Sequence, residues 1–300
     1  MIVLGFKDYS SQAGKLAEAL DLPLALVQRH RFPDGEYKLT LPAGLPAELP
    51  ASIIFCYSLD QPNEKLVELL LAASSVRQQG ATRLTLVAPY LCYMRQDKAF
   101  HPGEVVSQPI IGQFLAGLFD NIITVDPHLH RVHHLHEAVP ARQAVTLSAT
   151  ALMAKFLAGR FNNPLILGPD RESEQWVSAV AMPNQWQYAV CDKIRSGDRQ
   201  VRITLPDIDL ENREIVLVDD VASSGQTLIV ATRECLARQA GSVDILVTHA
   251  LFVNDALQEL LQAGAGNVWS TDSVNHESNI IPLAPLLAEA VTELHDCRRP

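Results

Sequence analysis

Two similar α/β halves, each a mainly parallel sheet flanked by helices, are the architecture this sequence predicts, and three observations lead there. Short apolar runs alternate with helical patterns along nearly the whole chain, as strands and crossover helices do in a parallel sheet. Ile215–Val218 is apolar on consecutive positions, as a strand covered on both faces requires. Two passages also repeat. GATRLTLVAPYL (Gly80–Leu91) resembles GSVDILVTHALF (Gly241–Phe252), and DNIITVDPH (Asp120–His128) resembles GNVWSTDSVNH (Gly266–His276).

In chain order, the clearest strands are expected at Ile53–Tyr57, Leu84–Ala88, Ile122–Val125, Leu165–Leu167, Trp186–Val190, Ile215–Val218 and Ile245–Thr248. Asn63–Gln79 and Thr227–Gln239 carry apolar residues at helical spacing. The repeat divides the chain near residue 145, with Ala141–Thr150 as the crossing point, so domains are expected at 1–145 and 146–300. No low-complexity linker separates them.

The 300 residues are 48% hydrophobic and 19% charged, an ordinary globular balance that allows a sizeable core. A net charge of -10 argues against a general nucleic-acid or anionic-membrane binder, since phosphate backbones are met by clustered Lys and Arg. No apolar run reaches membrane-spanning length, and the apolar start of MIVLGFKDYSSQAG is too short for a signal peptide. A cytoplasmic location is expected. The five cysteines (Cys56, Cys92, Cys191, Cys235, Cys297) are scattered and contain no CxxC pair, which suits buried free thiols rather than a disulfide framework.

The most telling stretch is EIVLVDDVASSGQTL (Glu214–Leu228). An apolar strand ends in Asp219 and Asp220, and in open α/β sheets that edge is where ligands bind. Ala222, Ser223, Ser224, Gly225 and Gln226 then lead into a helix near Thr227; small residues there let backbone N–H groups and a helix N-terminus face an anion. The combination suits a sugar phosphate, diol on the carboxylates and phosphate in the loop. A plain strand-to-helix turn, with Ser224 or Thr227 as N-cap and the aspartates solvated, is the structural alternative.

VDDVASSGQTL resembles the phosphoribosyl-binding loop of the type I phosphoribosyltransferase fold. Three further segments resemble ribose-phosphate diphosphokinases in that family's order: RFPDGEYKL (Arg31–Leu39), PYLCYMRQDKAFHPGEVVS (Pro89–Ser107) and TVDPHLH (Thr124–His130). No GxxxxGK[ST] occurs, so a P-loop kinase is not supported. The resemblance implies two phosphoribosyltransferase-type domains and transfer of a diphosphoryl group from Mg-ATP to ribose 5-phosphate. It implies that Phe32, Asp34 and Glu36 surround the adenine, and that Arg95, Gln96 and His128 contact nucleotide, the first two across a subunit boundary. His128 and Asp170 would meet Mg2+, while Asp219, Asp220, Ser223, Ser224, Gly225 and Thr227 would bind the ribose phosphate. Lys193 and Arg195, in CDKIRSGDRQVRI (Cys191–Ile203), fall on the basic pair of a flexible catalytic loop. A homo-oligomer, dimer or hexamer, is implied as well.

The sequence departs from the family's pattern in three places. After Asp170 the family usually has two glycines, but here Arg171, Glu172, Ser173 and Glu174 follow, adding side chains and two acids where backbone would approach phosphate. Ile194 interrupts the basic run, and Ser223 stands where many members carry an acid. These mark a divergent branch. Two other readings follow: an inactive regulatory homologue that keeps both pockets, or a phosphoribosyltransferase, for which FPDGE and RQD would have no role. HLHRVHHLH (His128–His136) places His130 and His134 four apart, as a helical zinc pair would be, but a polar turn after a strand explains it as well.

Overall fold

The fold was obtained as a computed structural model. It describes residues 1–42, 51–129, 131, 132, 134–196 and 200–296, with side chains described outside 193–202. His130 and Cys297 therefore lie outside the described residues.

By their contacts the residues group into two compact units, Met1–Leu147 with Leu283–Pro300, and Ser148–Pro282. The first contains β1 (Ile2–Phe6), α1 (Ser10–Ala19), β2 (Leu24–Arg31), β3 (Tyr37–Thr40), β4 (Ser52–Cys56), α2 (Pro62–Gln78) and β5 (Arg83–Val87). It continues with α3 (Ser107–Leu118), β6 (Asn121–Val125), α4 (Leu135–Ala138) and β7 (Gln143–Leu147). The second contains α5 (Thr150–Ala158), β8 (Leu165–Gly168), α6 (Glu174–Ala181), β9 (Tyr188–Val190), β10 (Asp192–Ser196) and β11 (Gln200–Thr204). It ends with β12 (Glu214–Ala222), α7 (Gln226–Ala237), β13 (Ser242–Ala250), α8 (Ala256–Gln262), β14 (Val268–Thr271) and β15 (Asn279–Ile281). The last helix, α9 (Ala284–Asp296), returns to the first unit.

Among the described residues the first sheet runs β3-β2-β1-β4-β5-β6-β7 and the second β15-β14-β13-β12-β8-β9. Leaving out β3, the two orders coincide: β2-β1-β4-β5-β6-β7 matches β9-β8-β12-β13-β14-β15, with every pairing parallel. The repeated passages are thus equivalent strands, β5 with β13 and β6 with β14.

Most positions of the central strands are buried, and β1 and β6 expose none of their residues. Several boundaries differ from expectation. The stretch 141–150 contains β7, an edge strand paired with β6, so the units meet after Leu147 rather than at 145. The C-terminal segment does not stay with the second unit, because α9 buries Leu287, Ala288 and Val291 while packing on α1, β6 and β7. Each fully buried Leu or Val contributes about 1.5–3 kcal/mol relative to exposure. Arg83 seals that docking by donating to the Leu294 carbonyl at 2.9 Å, in the last turn of α9.

Cys56, Cys92, Cys191 and Cys235 are buried and in no disulfide. Burial pushes the thiols of Cys92, Cys191 and Cys235 up to about 12. At pH 8 their thiolate fraction is on the order of one in ten thousand, so a thiol-alkylating reagent should leave these three unlabelled in the native protein and label them in denaturant. Peptide mapping by mass spectrometry checks this; rapid native labelling of Cys191 or Cys235 would contradict it.

Candidate active site

In the second unit, unequal strand lengths open the ligand edge. The strand expected to stop at Val218 continues to Ala222, because the long neighbour β13 goes on pairing with it, Val221 with His249 and Ala222 with Ala250. On its other side β8 pairs only Ile215 to Leu217. From Val218 onward β12 therefore has a strand partner on one side only, and Asp219 and Asp220 sit in that overhang. Asp220 is 2% exposed, while Asp219 is half-buried and its carboxylate accepts the Asp220 N–H at 3.0 Å.

The chain then turns through Ser223 and Ser224 into α7. Gly225 occupies the N-cap position with φ +69°, a left-handed conformation that a Cβ disfavours. Neither Ser224 nor Thr227 is the N-cap, and no side chain caps this end. The turn is pinned from outside: Val253 N–H donates to the Ser223 carbonyl at 3.0 Å, and Leu251 and Phe252 N–H to that of Ala222 at 2.9 Å. The N–H groups of Ser224, Gly225, Gln226 and Thr227 meet no acceptor among the described residues. Four such amides at the N-terminus of a twelve-residue helix are the kind of donor set that can cradle an anion.

Asp170 lies two residues beyond β8, at the same carboxyl edge of the sheet. Its carboxylate accepts the Glu172 N–H at 3.1 Å and caps a short 3-10 turn, Arg171–Ser173, which runs directly into α6. Ser173 is buried, and its hydroxyl donates to the Asp170 carbonyl at 2.5 Å. Arg171 reaches outward to Asp192 at 2.6 Å, at the root of β10. Lys193 and Arg195 lie on β10 in an antiparallel ribbon with β11, opposite Ile203 and Val201; this is regular structure where a loop was expected. Their side chains lie outside the described residues.

In the first unit, Phe32, Asp34 and Glu36 form the connection of the β2–β3 hairpin. Pro33, Asp34 and Gly35 make a turn: Asp34 accepts the Glu36 N–H at 3.1 Å, Gly35 has φ +97°, and Phe32 N–H donates to the Glu36 carbonyl at 2.8 Å. Phe32 is 39% exposed, edge-on to His30 at 4.8 Å, so it is a surface platform and not core. Arg95 is exposed and Gln96 half-buried in the segment following β5, and Gln96 donates to the Lys98 carbonyl at 3.1 Å.

Residues that the sequence reading passed over hold this segment. Gln108, 3% exposed in the first turn of α3, donates to the Met94 carbonyl at 2.9 Å. Asp97 has a 1% exposed side chain and pairs with Arg131 at 2.7 Å, joining the segment of Arg95 and Gln96 to the one that carries His128. Its second carboxylate oxygen is buried with no partner among the described residues, an acceptor left for a ligand donor. Only the RQD spacing hinted at this; Arg131 is 34 residues away. A buried polar cluster at the ends of β13 and β14 was likewise missed, with His249 Nδ1 2.9 Å from the Ser273 hydroxyl and Thr271 donating to the Thr248 carbonyl at 2.6 Å.

In the histidine stretch, His134 is the N-cap of α4 in a reciprocal capping box with Glu137 and stacks on His136 at 5.6 Å, while His130, its expected helical partner, lies outside the described residues. Among the described residues no three His, Cys, Asp or Glu side chains come together as a metal cage. None of the described helices is long and apolar enough to cross a membrane.

Residues 1–118 match the N-terminal domain of ribose phosphate pyrophosphokinase, and residues 137–265 the phosphoribosyl transferase domain. A ribose-phosphate pyrophosphokinase of Methanopyrus kandleri is 33% identical over 297 residues, 98% of this chain and 99% of that protein. One from Saccharolobus solfataricus is 29% identical, covering 94% and 97%. In structure, the chain is similar to a phosphoribosylpyrophosphate synthetase from Mycobacterium smegmatis, with a TM-score of 0.83 over 99% of each chain at 20% identity, a likeness of fold. Matched along its whole length by such relatives, with the phosphoribosyl transferase match covering the β12 overhang and its amide cradle, this chain belongs to the ribose-phosphate pyrophosphokinase family.

Proposed function

We propose that the protein transfers the diphosphoryl group of ATP to the 1-hydroxyl of ribose 5-phosphate, giving 5-phosphoribosyl 1-diphosphate and AMP. The observation that carries this reading, beside the family, is the contiguity of two carboxylates with four unsatisfied amides: acceptors for a diol next to donors for a phosphate.

Asp219 and Asp220 accept hydrogen bonds from the ribose hydroxyls, and Ser223, Ser224, Gly225 and Thr227 bind the 5-phosphate through N–H and hydroxyl donors at the positive end of α7. Phe32 stacks on the adenine, Asp34 and Glu36 accept from its amino group, and Arg95, Gln96 and His128 bind the rest of the nucleotide. The sugar's O1 attacks the β-phosphorus, the bond from that phosphorus to the oxygen bridging to the α-phosphate breaks, AMP departs with the electron pair, and the hydroxyl proton is released. Lys193 and Arg195 stabilise charge on the moving group and exclude water.

Mg2+ bound with the triphosphate would neutralise phosphate charge, and His128 in the first unit and Asp170 in the second are each proposed to meet it. An imidazole or a carboxylate fits an ion that keeps waters and borrows phosphate oxygens, and among the described residues no cage of three such side chains occurs.

Exposed Val67, Leu70 and Leu71 on α2 and Ile110 on α3 support a homo-oligomer, dimer or hexamer. Buried free thiols suit a cytoplasmic location. An inactive regulatory homologue is the second reading, favoured by the Asp170 carboxylate being engaged as the cap of the substituted segment.

Purified protein with magnesium, ATP and ribose 5-phosphate should yield AMP and phosphoribosyl diphosphate in equal amounts, and neither when one component is omitted. ADP instead would overturn diphosphoryl transfer; binding of both substrates without turnover would select the regulatory reading. Asp220→Asn should weaken ribose 5-phosphate binding about tenfold or more, the worth of a charge-assisted hydrogen bond, with ATP affinity little changed. Equal loss of both, with folding intact, would count against the assignment. Gly225→Ala should lose about 1 kcal/mol in denaturant unfolding, because alanine is strained at φ +69°, and should also weaken sugar-phosphate binding.

A further inference from the structure

The β2–β3 hairpin is anchored unevenly. β1 ends at Phe6 and pairs with β2 only from Leu24 to Val27. Gln28–Arg31 therefore project beyond β1 and pair only with β3, Gln28 with Thr40 through Arg31 with Tyr37. An isolated two-stranded ribbon is marginal in water, so something else must fix the direction of this overhang.

The structure offers a tie anchored on a buried carboxylate. Glu68 on α2 is 0% exposed and accepts from Arg29 of β2 at 2.6 Å; its other oxygen accepts from the Tyr57 hydroxyl at 2.8 Å. Tyr57, fully buried after β4, also lies 3.0 Å from the Asp8 carboxylate, and its ring stacks on Phe6 at 4.2 Å. Arg29 in turn lies over the Tyr37 ring of β3 at 5.4 Å, so one guanidinium holds both strands. The outer tie, Arg31 to Glu64 at 3.4 Å, is exposed on both sides and contributes little.

We infer that Glu68 is a positioning residue for nucleotide binding: through Arg29 it aims the overhanging hairpin, and with it Phe32, Asp34 and Glu36, at the adenine. The inference rests on the nucleotide role proposed above for those three residues. Glu68 itself touches no substrate. Its charge is what holds Arg29, whereas its size and its bond to Tyr57 can be kept by an amide.

Calorimetric binding of Mg-ATP and, separately, of ribose 5-phosphate to wild type, Glu68→Gln, Arg29→Ala and the double variant tests this. ATP should bind about tenfold more weakly, about 1.4 kcal/mol, in either single variant and no worse in the double, with ribose 5-phosphate binding unchanged. Unchanged ATP affinity, or equal loss for both ligands, would overturn it. Should Glu68→Gln fail to fold, Arg29→Ala, at a partly exposed side chain, decides alone. Wild type that binds ATP yet makes no AMP would remove the proposed activity and leave this inference standing; wild type that binds no ATP would remove the inference.

Discussion

Parallel pairing obliges every strand of a sheet to deliver its carboxyl end to the same edge, and both units of this chain are built around that constraint. Backbone hydrogen bonding places the loops after β12 and β8 side by side, whatever their sequences. The apolar strands need burial on both faces, so helices cover them and chemistry is pushed to the strand ends. What distinguishes this edge is strand length: β12 follows β13 to Ala222, while β8 ends at Gly168. The missing stretch of neighbour is the opening in which carboxylates and amides stand together.

The phosphate site proposed for the loop after β12 is mainly a backbone feature. Gly225 supplies the left-handed turn, Val253 and Phe252 fix the preceding carbonyls, and the amides that remain point their unspent donors outward. Side chains at the other strand end act differently. Asp170 organises the backbone after it, and Arg171 carries that organisation to the root of the β10–β11 ribbon through Asp192. The residues that replace the family's glycines thus form a defined turn with its own hydrogen bonds.

Most of the buried strands were legible in sequence because burial on two faces demands runs of Val, Ile and Leu, although β1, buried at every position, was not among those expected; the loop after β12 stood out because small residues and glycine follow such a run. β2 and β3 were not, since LALVQRHR belongs to an overhanging ribbon that is mostly exposed and carries no core pattern. The last residues of β12 were hidden by their polarity; only β13 shows that the backbone stays extended there. Gln108, Asp97 and Glu68 look like surface residues on paper, because the partners that permit their burial, Met94, Arg131 and Arg29, are 14, 34 and 39 positions away. The place of α9 was concealed for the same reason: its partners α1, β6 and β7 come from the other end of the chain.

The coincidence of the two strand orders makes β4 the counterpart of β12, and the residues after β4 the counterpart of the Ser223–Gly225 turn. In that place the first unit has Tyr57, pressed between Phe6 and the Lys65 ammonium, its hydroxyl held by Asp8 and Glu68. The edge that is an open cradle in one copy is filled with aromatic and charged side chains in the other. After β4 the first unit thus uses its strand end as a mount for the hairpin, while the segments after β5 and β6, at the same edge, carry Arg95, Gln96 and His128. One strand order serves twice, open after β12 and filled after β4.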